Sequence, residues 1–141
     1  MANEICKQIQ GFLDEHKLPY HLEENEQFSM IMARFEGKNI KHLLVRLICE
    51  NENNVVSVRA FAIANAAKAD KVKVLTLLNE LNGKYRYTRF YMADNGEISA
   101  MYDLPTTCGE AFGPISHEMF IRFWNILDEC YPELLAAVEP A

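Results

Sequence analysis

Apolar residues recur along the chain in two distinct periods, and the changes of period mark its elements. Ile5, Ile9, Phe12 and Leu13 fall at i, i+4, i+7 and i+8 with polar residues between them, which predicts an amphipathic helix. Leu18-Pro19 ends it, because the residue before a proline is steered away from helical backbone. Gly11 within it costs about 1 kcal/mol relative to alanine, so packing must support the helix. From Tyr20 the period drops to two. Apolar and β-branched runs at 20–22, 28–35, 42–49 and 55–63 are broken by Glu36-Gly37-Lys38-Asn39 and Asn51-Glu52-Asn53-Asn54, which is turn chemistry. Links this short join antiparallel neighbours.

A second helix follows, with Asp70 as its N-cap, Val72, Leu75, Leu78 and Leu81 as its stripe and Gly83 just past its end. Two further strands, 85–92 and 97–102, are joined through Asp94-Asn95-Gly96, and an Asn-Gly between alternating runs is a strong hairpin signal. Leu104-Pro105 opens a loop holding Cys108, Gly109, Gly113 and Pro114. A third helix then runs from about Ser116 to Tyr131, closed by Pro132, with a last turn at 133–138. The expected fold is a single α+β domain over residues 1–141, an antiparallel curved sheet flanked by helices, in the order α-β-β-β-α-β-β-α with an extra short first strand at 20–22.

Reading the strands in twos separates two faces. One collects Ile31, Ala33, Phe35, Leu43, Val45, Leu47, Cys49, Val56, Val58, Ala60, Ala62, Phe90, Met92, Ile98, Ala100 and Tyr102, and is the expected core. The other collects Phe28, Met30, Met32, Arg34, Leu44, Arg46, Ile48, Arg59, Phe61, Ile63, Tyr85, Tyr87, Arg89, Tyr91 and Met101. A solvated sheet face would be rich in Thr, Lys, Glu and Ser. This one carries Met, Tyr, Phe and an arginine in each of four strands, the residue types enriched at interfaces. Something should cover it: a helix of the same chain, a second copy, or another polypeptide. In the third helix Met119, Phe120, Phe123, Ile126, Leu127 and Cys130 fill one broad face while Ile121 and Trp124 point elsewhere, so it should be buried on two sides, and another subunit could supply the second contact.

Composition narrows the chemistry. The chain has 141 residues, of which 14 are Lys or Arg and 20 Asp or Glu, for a net charge of −6. Residues 110–141 hold one arginine against six carboxylates, which disfavours nucleic acid as a partner. No apolar run is long enough to span a membrane, and the first residues lack a secretory pattern, so a cytoplasmic protein is expected. Cys6, Cys49, Cys108 and Cys130 form no C-x-x-C pair, and buried thiols are the expectation. His117-Glu118 begins like a zinc-protease helix, but Ile121 stands where the second histidine belongs. No metal, cofactor or phosphate-binding loop is expected.

Several strings resemble the YbjN-like family of bacterial sensory transduction regulators: Leu77-Leu78-Asn79-Glu80-Leu81-Asn82, Tyr87-Thr88-Arg89-Phe90-Tyr91-Met92, Asn95-Gly96-Glu97-Ile98, and Asp128-Glu129-Cys130-Tyr131-Pro132-Glu133-Leu134. The resemblance implies a fold like that of class I type III secretion chaperones, in which two copies associate and an extended stretch of another protein is held, partly by strand addition. It implies binding and supplies no catalytic motif, and shared architecture alone assigns no secretion role.

The resulting expectation is a non-enzymatic, chaperone-like or regulatory module that binds a protein or peptide and acts as a homodimer. Arg34, Arg46, Arg59 and Arg89 would give charge-assisted contacts, with Met30, Met32, Tyr87, Tyr91 and Trp124 as adaptable apolar surface. The alternative is a small-ligand sensor or enzyme with a pocket under the 104–114 loop, using Cys108, Glu110 and Tyr102.

Overall fold

The computed structural model describes residues 4–50, 55–107 and 112–140. Helix α1 (Glu4–Glu15) buries Cys6, Ile9 and Leu13. It ends ahead of Pro19 in a Schellman cap: Leu18 N–H donates to the Leu13 carbonyl at 2.9 Å and Lys17 N–H to that of Asp14 at 3.1 Å, with Lys17 at φ 55°. Four strands follow, β1 (His21–Glu24), β2 (Phe28–Phe35), β3 (Leu43–Glu50) and β4 (Val55–Asn65). After them come α2 (Lys71–Lys84), β5 (Arg89–Met92), β6 (Glu97–Pro105) and α3 (Phe112–Ala137). The element order matches the sequence expectation, the short first strand included. The six strands form one antiparallel sheet in the order β1-β2-β3-β4-β6-β5.

One continuous core joins the inward residues of the strands to Cys6, Ile9 and Leu13 of α1, to Val74, Leu78 and Leu81 of α2, and to Phe112, Phe120, Phe123, Leu127 and Leu134 of α3. All three helices therefore pack on the same side of the sheet. The broad apolar girth of α3 is met by α1 and α2 and by the sheet, so its second contact comes from within the chain. Phe120 lies 4.8 Å from the Phe35 ring and Phe123 meets Tyr102 edge-on at 5.0 Å.

Four departures from the sequence expectation have physical causes. In α2, Asp70 caps as expected, its carboxylate accepting from the Val72 and Lys73 amides. The buried stripe, however, is Val74, Leu78 and Leu81, leaving Val72 74% and Leu75 48% exposed. Two overlapping stripes fit the same apolar run, and the sheet selects one of them. The helix also passes through Gly83 and ends where Tyr85 N–H donates to the Leu81 carbonyl.

The fifth strand begins at Arg89 instead of Tyr85, because the chain bends at Tyr87 with φ 63°. The Asn82 side chain then reads the outer edge of that strand as a neighbouring backbone would. Its Oδ1 accepts from Phe90 N–H at 2.7 Å and its Nδ2 donates to the Phe90 carbonyl at 3.1 Å. Asn82→Leu should therefore cost about 1–3 kcal/mol, since both groups of a part-buried peptide lose their partners. An unchanged urea midpoint would show that water serves them instead.

In β4, Ala60 pairs with Ala100 and Ala64 with Ile98, leaving three residues opposite Ser99 alone. This bulge holds Ala62 at φ 51°, with its N–H on Ser99 Oγ at 3.0 Å. Ala62 consequently turns out to solvent and Ile63 packs against the core, the reverse of strict alternation.

Finally, α3 runs through Pro132. Proline cannot donate to the carbonyl four residues earlier, which belongs to Asp128. That carbonyl instead accepts from Asn39 Nδ2 at 2.9 Å, so the lost bond is replaced from the β2–β3 turn. The Asp128 carboxylate accepts three further bonds from the same turn, from the amides of Lys38 (3.1 Å), Asn39 (2.8 Å) and Ile40 (2.9 Å). A Cβ on Gly37 would collide with that carboxylate, so the turn needs glycine there.

Candidate functional site

The strand face turned away from the helices carries the site. None of the three described helices lies on it, and its residues alternate half-buried or exposed with buried ones along β2 and β3. Because paired residues project to the same side, the register defines rows across the sheet. One row runs His21, Met32, Arg46, Arg59, Met101, Arg89 through all six strands. The next, toward the other end of the strands, runs Glu23, Met30, Ile48, Ser57, Asp103. Beyond these lie Arg34 beside Leu44 on one flank and Phe28 beside Glu50 on the other.

The four arginines are held differently. Arg59 is committed internally, with Nη1 2.9 Å from Asp103 Oδ1 and donating to the Val58 and Tyr102 carbonyls. Arg46 lies 5.4 Å from the centre of the Phe61 ring, a cation–π arrangement. Arg34 and Arg89 are exposed and have no ion pair among the described residues. A cleft of about 470 Å³ lined by Pro19, Tyr20, His21, Met32, Arg34 and Leu44 opens on the same face. Met30 and Met32 stand on neighbouring rows at its centre, and Tyr91 projects from the edge strand, 37% exposed.

Two expected surface residues lie elsewhere. Tyr87 sits in the bend before β5, 63% exposed. Trp124 is on α3, across the sheet from the arginines, packed 5.3 Å from the Phe35 ring with its indole N–H buried and without an acceptor among the described residues. Tyr85 likewise packs against the core instead of the open face.

The alternative pocket is placed only in part, because Cys108 and Glu110 lie outside the described residues. Tyr102 points into the core, 4% exposed, and burial pushes its phenol well above the ordinary value. Cys6, Cys49 and Cys130 are buried free thiols. The hydrogen bond with Cys6, then burial, push the Cys49 thiol up. His16 and His117 stack at 3.9 Å, an arrangement in which the ring lone pairs do not converge on one point. Burial, then the neighbouring His16, lower the His117 pKa. Among the described residues no group of three or more His, Cys, Asp or Glu side chains could hold a metal ion.

Comparison with known proteins places the chain in a family. The YbjN model, described as "Putative bacterial sensory transduction regulator", matches residues 6–135. The chain belongs to the YbjN family. Its fold is similar to the crystal structure of YbjN, a putative transcription regulator from E. coli, with 14% sequence identity, a TM-score of 0.55, and 91% of this chain and 92% of that one covered. No curated protein matches. Membership is consistent with a regulatory module, and no described helix of this YbjN-family chain is long and apolar enough to cross a membrane.

Sequence reasoning missed the acidic half of the face. Period two continued from Met101 would have put Asp103 on it, but the Asp103–Arg59 pairing depends on a register between strands 44 residues apart in sequence, which no local pattern encodes.

Proposed function

We propose that this YbjN-family chain is a cytoplasmic, non-enzymatic regulatory module that works by holding a protein or peptide on its open sheet face. The observation that carries this reading is the face itself. Half-buried Met30, Met32, Leu44 and Ile48 lie beside arginines that have no ion pair within the described chain, and contiguous apolar surface with a polar rim is characteristic of interaction sites. Strand addition, the mode implied by the chaperone resemblance, is poorly supported at the sheet edges. Asn82 occupies the outward groups of Phe90, and β1 is four residues long with three ionisable side chains.

A photocrosslinking residue placed at Ile48 and activated in living cells should trap a polypeptide, while the same residue at Val72, exposed on α2, should not. Ile48 variants that fold but trap no polypeptide would overturn the reading.

A further inference from the structure

We propose that Cys6 and Cys49 are a peroxide-responsive pair, which hydrogen peroxide converts into a reversible disulfide that fastens α1 to β3. The placement of the two thiols carries the inference, which is independent of what occupies the open face. Cys49 stands opposite Ser29 in the β2–β3 register, and both are buried on the side of the sheet that the helices cover. Cys6, in the first turn of α1, lies over that pair and is fully buried. Its side chain makes hydrogen bonds with those of both Cys49 and Ser29. Two thiols 43 residues apart in sequence are thus in contact inside one core. Cys130 differs, because it lies on α3 and its thiol meets the Tyr85 phenol.

The two thiols of the pair are not equivalent. The hydrogen bond with Cys49 lowers the Cys6 pKa, outweighing burial and the Glu24 carboxylate, which raise it, and Ser29 adds to the lowering. The Cys49 thiol is pushed up. Cys6 is therefore the first to react, since the thiolate is the nucleophile. Its sulfur attacks one peroxide oxygen: an S–O bond forms, the O–O bond breaks, and the departing hydroxide takes up a proton and leaves as water, giving the Cys6 sulfenic acid. The Cys49 sulfur then attacks the Cys6 sulfur. The S–S bond forms, the S–O bond breaks, and the released hydroxide takes the Cys49 proton. The two thiols have lost two hydrogens between them, and the peroxide has become two waters. Access requires opening of the first turn of α1, a helix whose own stability Gly11 lowers, and helix ends are where local opening is easiest. In the cytoplasm proposed above, thiol reductants return the pair to its reduced form, so the bond persists only during oxidative challenge.

The test is a peptide map of the purified full chain, folded by far-UV circular dichroism, after exposure to a small molar excess of hydrogen peroxide and alkylation of the remaining thiols. Each of the four cysteines falls in its own tryptic peptide, Cys6 in 1–7 and Cys49 in 47–59. The expected product is 1–7 joined to 47–59 within one chain, with an intact mass lower by about 2 Da before alkylation and both changes reversed by dithiothreitol. The oxidised chain should also unfold at a urea concentration higher by about 1 M, because the bond closes a long loop of the unfolded chain. In Cys49→Ala the sulfenic acid should accumulate on Cys6 and be captured by dimedone, whereas in Cys6→Ala the Cys49 peptide should stay unmodified. A native chain that gives no 1–7 to 47–59 link, gives it only when unfolded in urea, or joins Cys6 to Cys108 or to another chain instead would overturn the inference. An oxidised form with a lowered urea midpoint would overturn it as well, by showing that the fold does not accommodate the bond.

Discussion

Phe120→Ala should lower the stability of the fold by about 3–5 kcal/mol, the range for truncating a fully buried aromatic ring. Phe120 is 1% exposed and packs on Phe35 of β2. It also lines a small void with Ile9, Phe12 and Leu13 of α1 and Leu47 of β3, so it stands where α1 and α3 meet the sheet. Its removal takes contacts from three elements at once, and the surrounding backbone, held in a sheet on one side and a helix on the other, has little room to collapse. Phe120→Leu retains part of that volume and should cost clearly less. Urea unfolding measures both, as a lower midpoint at unchanged slope. A loss under about 1 kcal/mol for the alanine variant would mean that the site relaxes and that α1 and α3 are not joined through this ring.

Asp128→Ala should cost about 2–3 kcal/mol, less than the sum of its bonds because the turn amides can be rehydrated. The carboxylate gathers the amides of Lys38, Asn39 and Ile40. Burial alone would lift its pKa; the Ile40, Asn39 and Lys38 amides, with Lys41 nearby, outweigh that and hold the group below its ordinary value of 3.8. The folded pKa therefore lies below the unfolded one. The stabilisation is complete above the unfolded value and is lost as pH falls through the lower folded value. Wild type and Asp128→Ala should accordingly converge in stability in acid and separate toward neutrality. A difference between them that does not change with pH would show that the negative charge is not what organises the turn.

Local signals carried most of the architecture. Asp70 capping, the Asn95-Gly96 hairpin and the alternation in β2 and β3 each act within a few residues, and the structure retains all three. The expected core residues are buried apart from Ala62 and Met92, and Ala62 fails because a bulge opposite Ser99 breaks the alternation that placed it. Pro132 was misleading for a related reason. A proline ends a helix when the freed carbonyl has no other donor, and here the donor is Asn39, far away in sequence. The same limit applied to the candidate site. Period two identifies the face and its arginines, but which of them is tied down by a carboxylate, as Arg59 is by Asp103, depends on which strands pair in which register. Trp124 was ambiguous because a large aromatic on a helix apolar nearly all round can face either way, and its contact with Phe35 turns it inward.

The amide of Asn82, laid along the outermost strand, has a consequence for the behaviour of the protein when concentrated. A bare strand flank is a template on which further chains can stack indefinitely, whereas this flank already has its peptide partner. Growth into fibrils is thereby discouraged at one border, and the brevity and charge of β1 discourage it at the other.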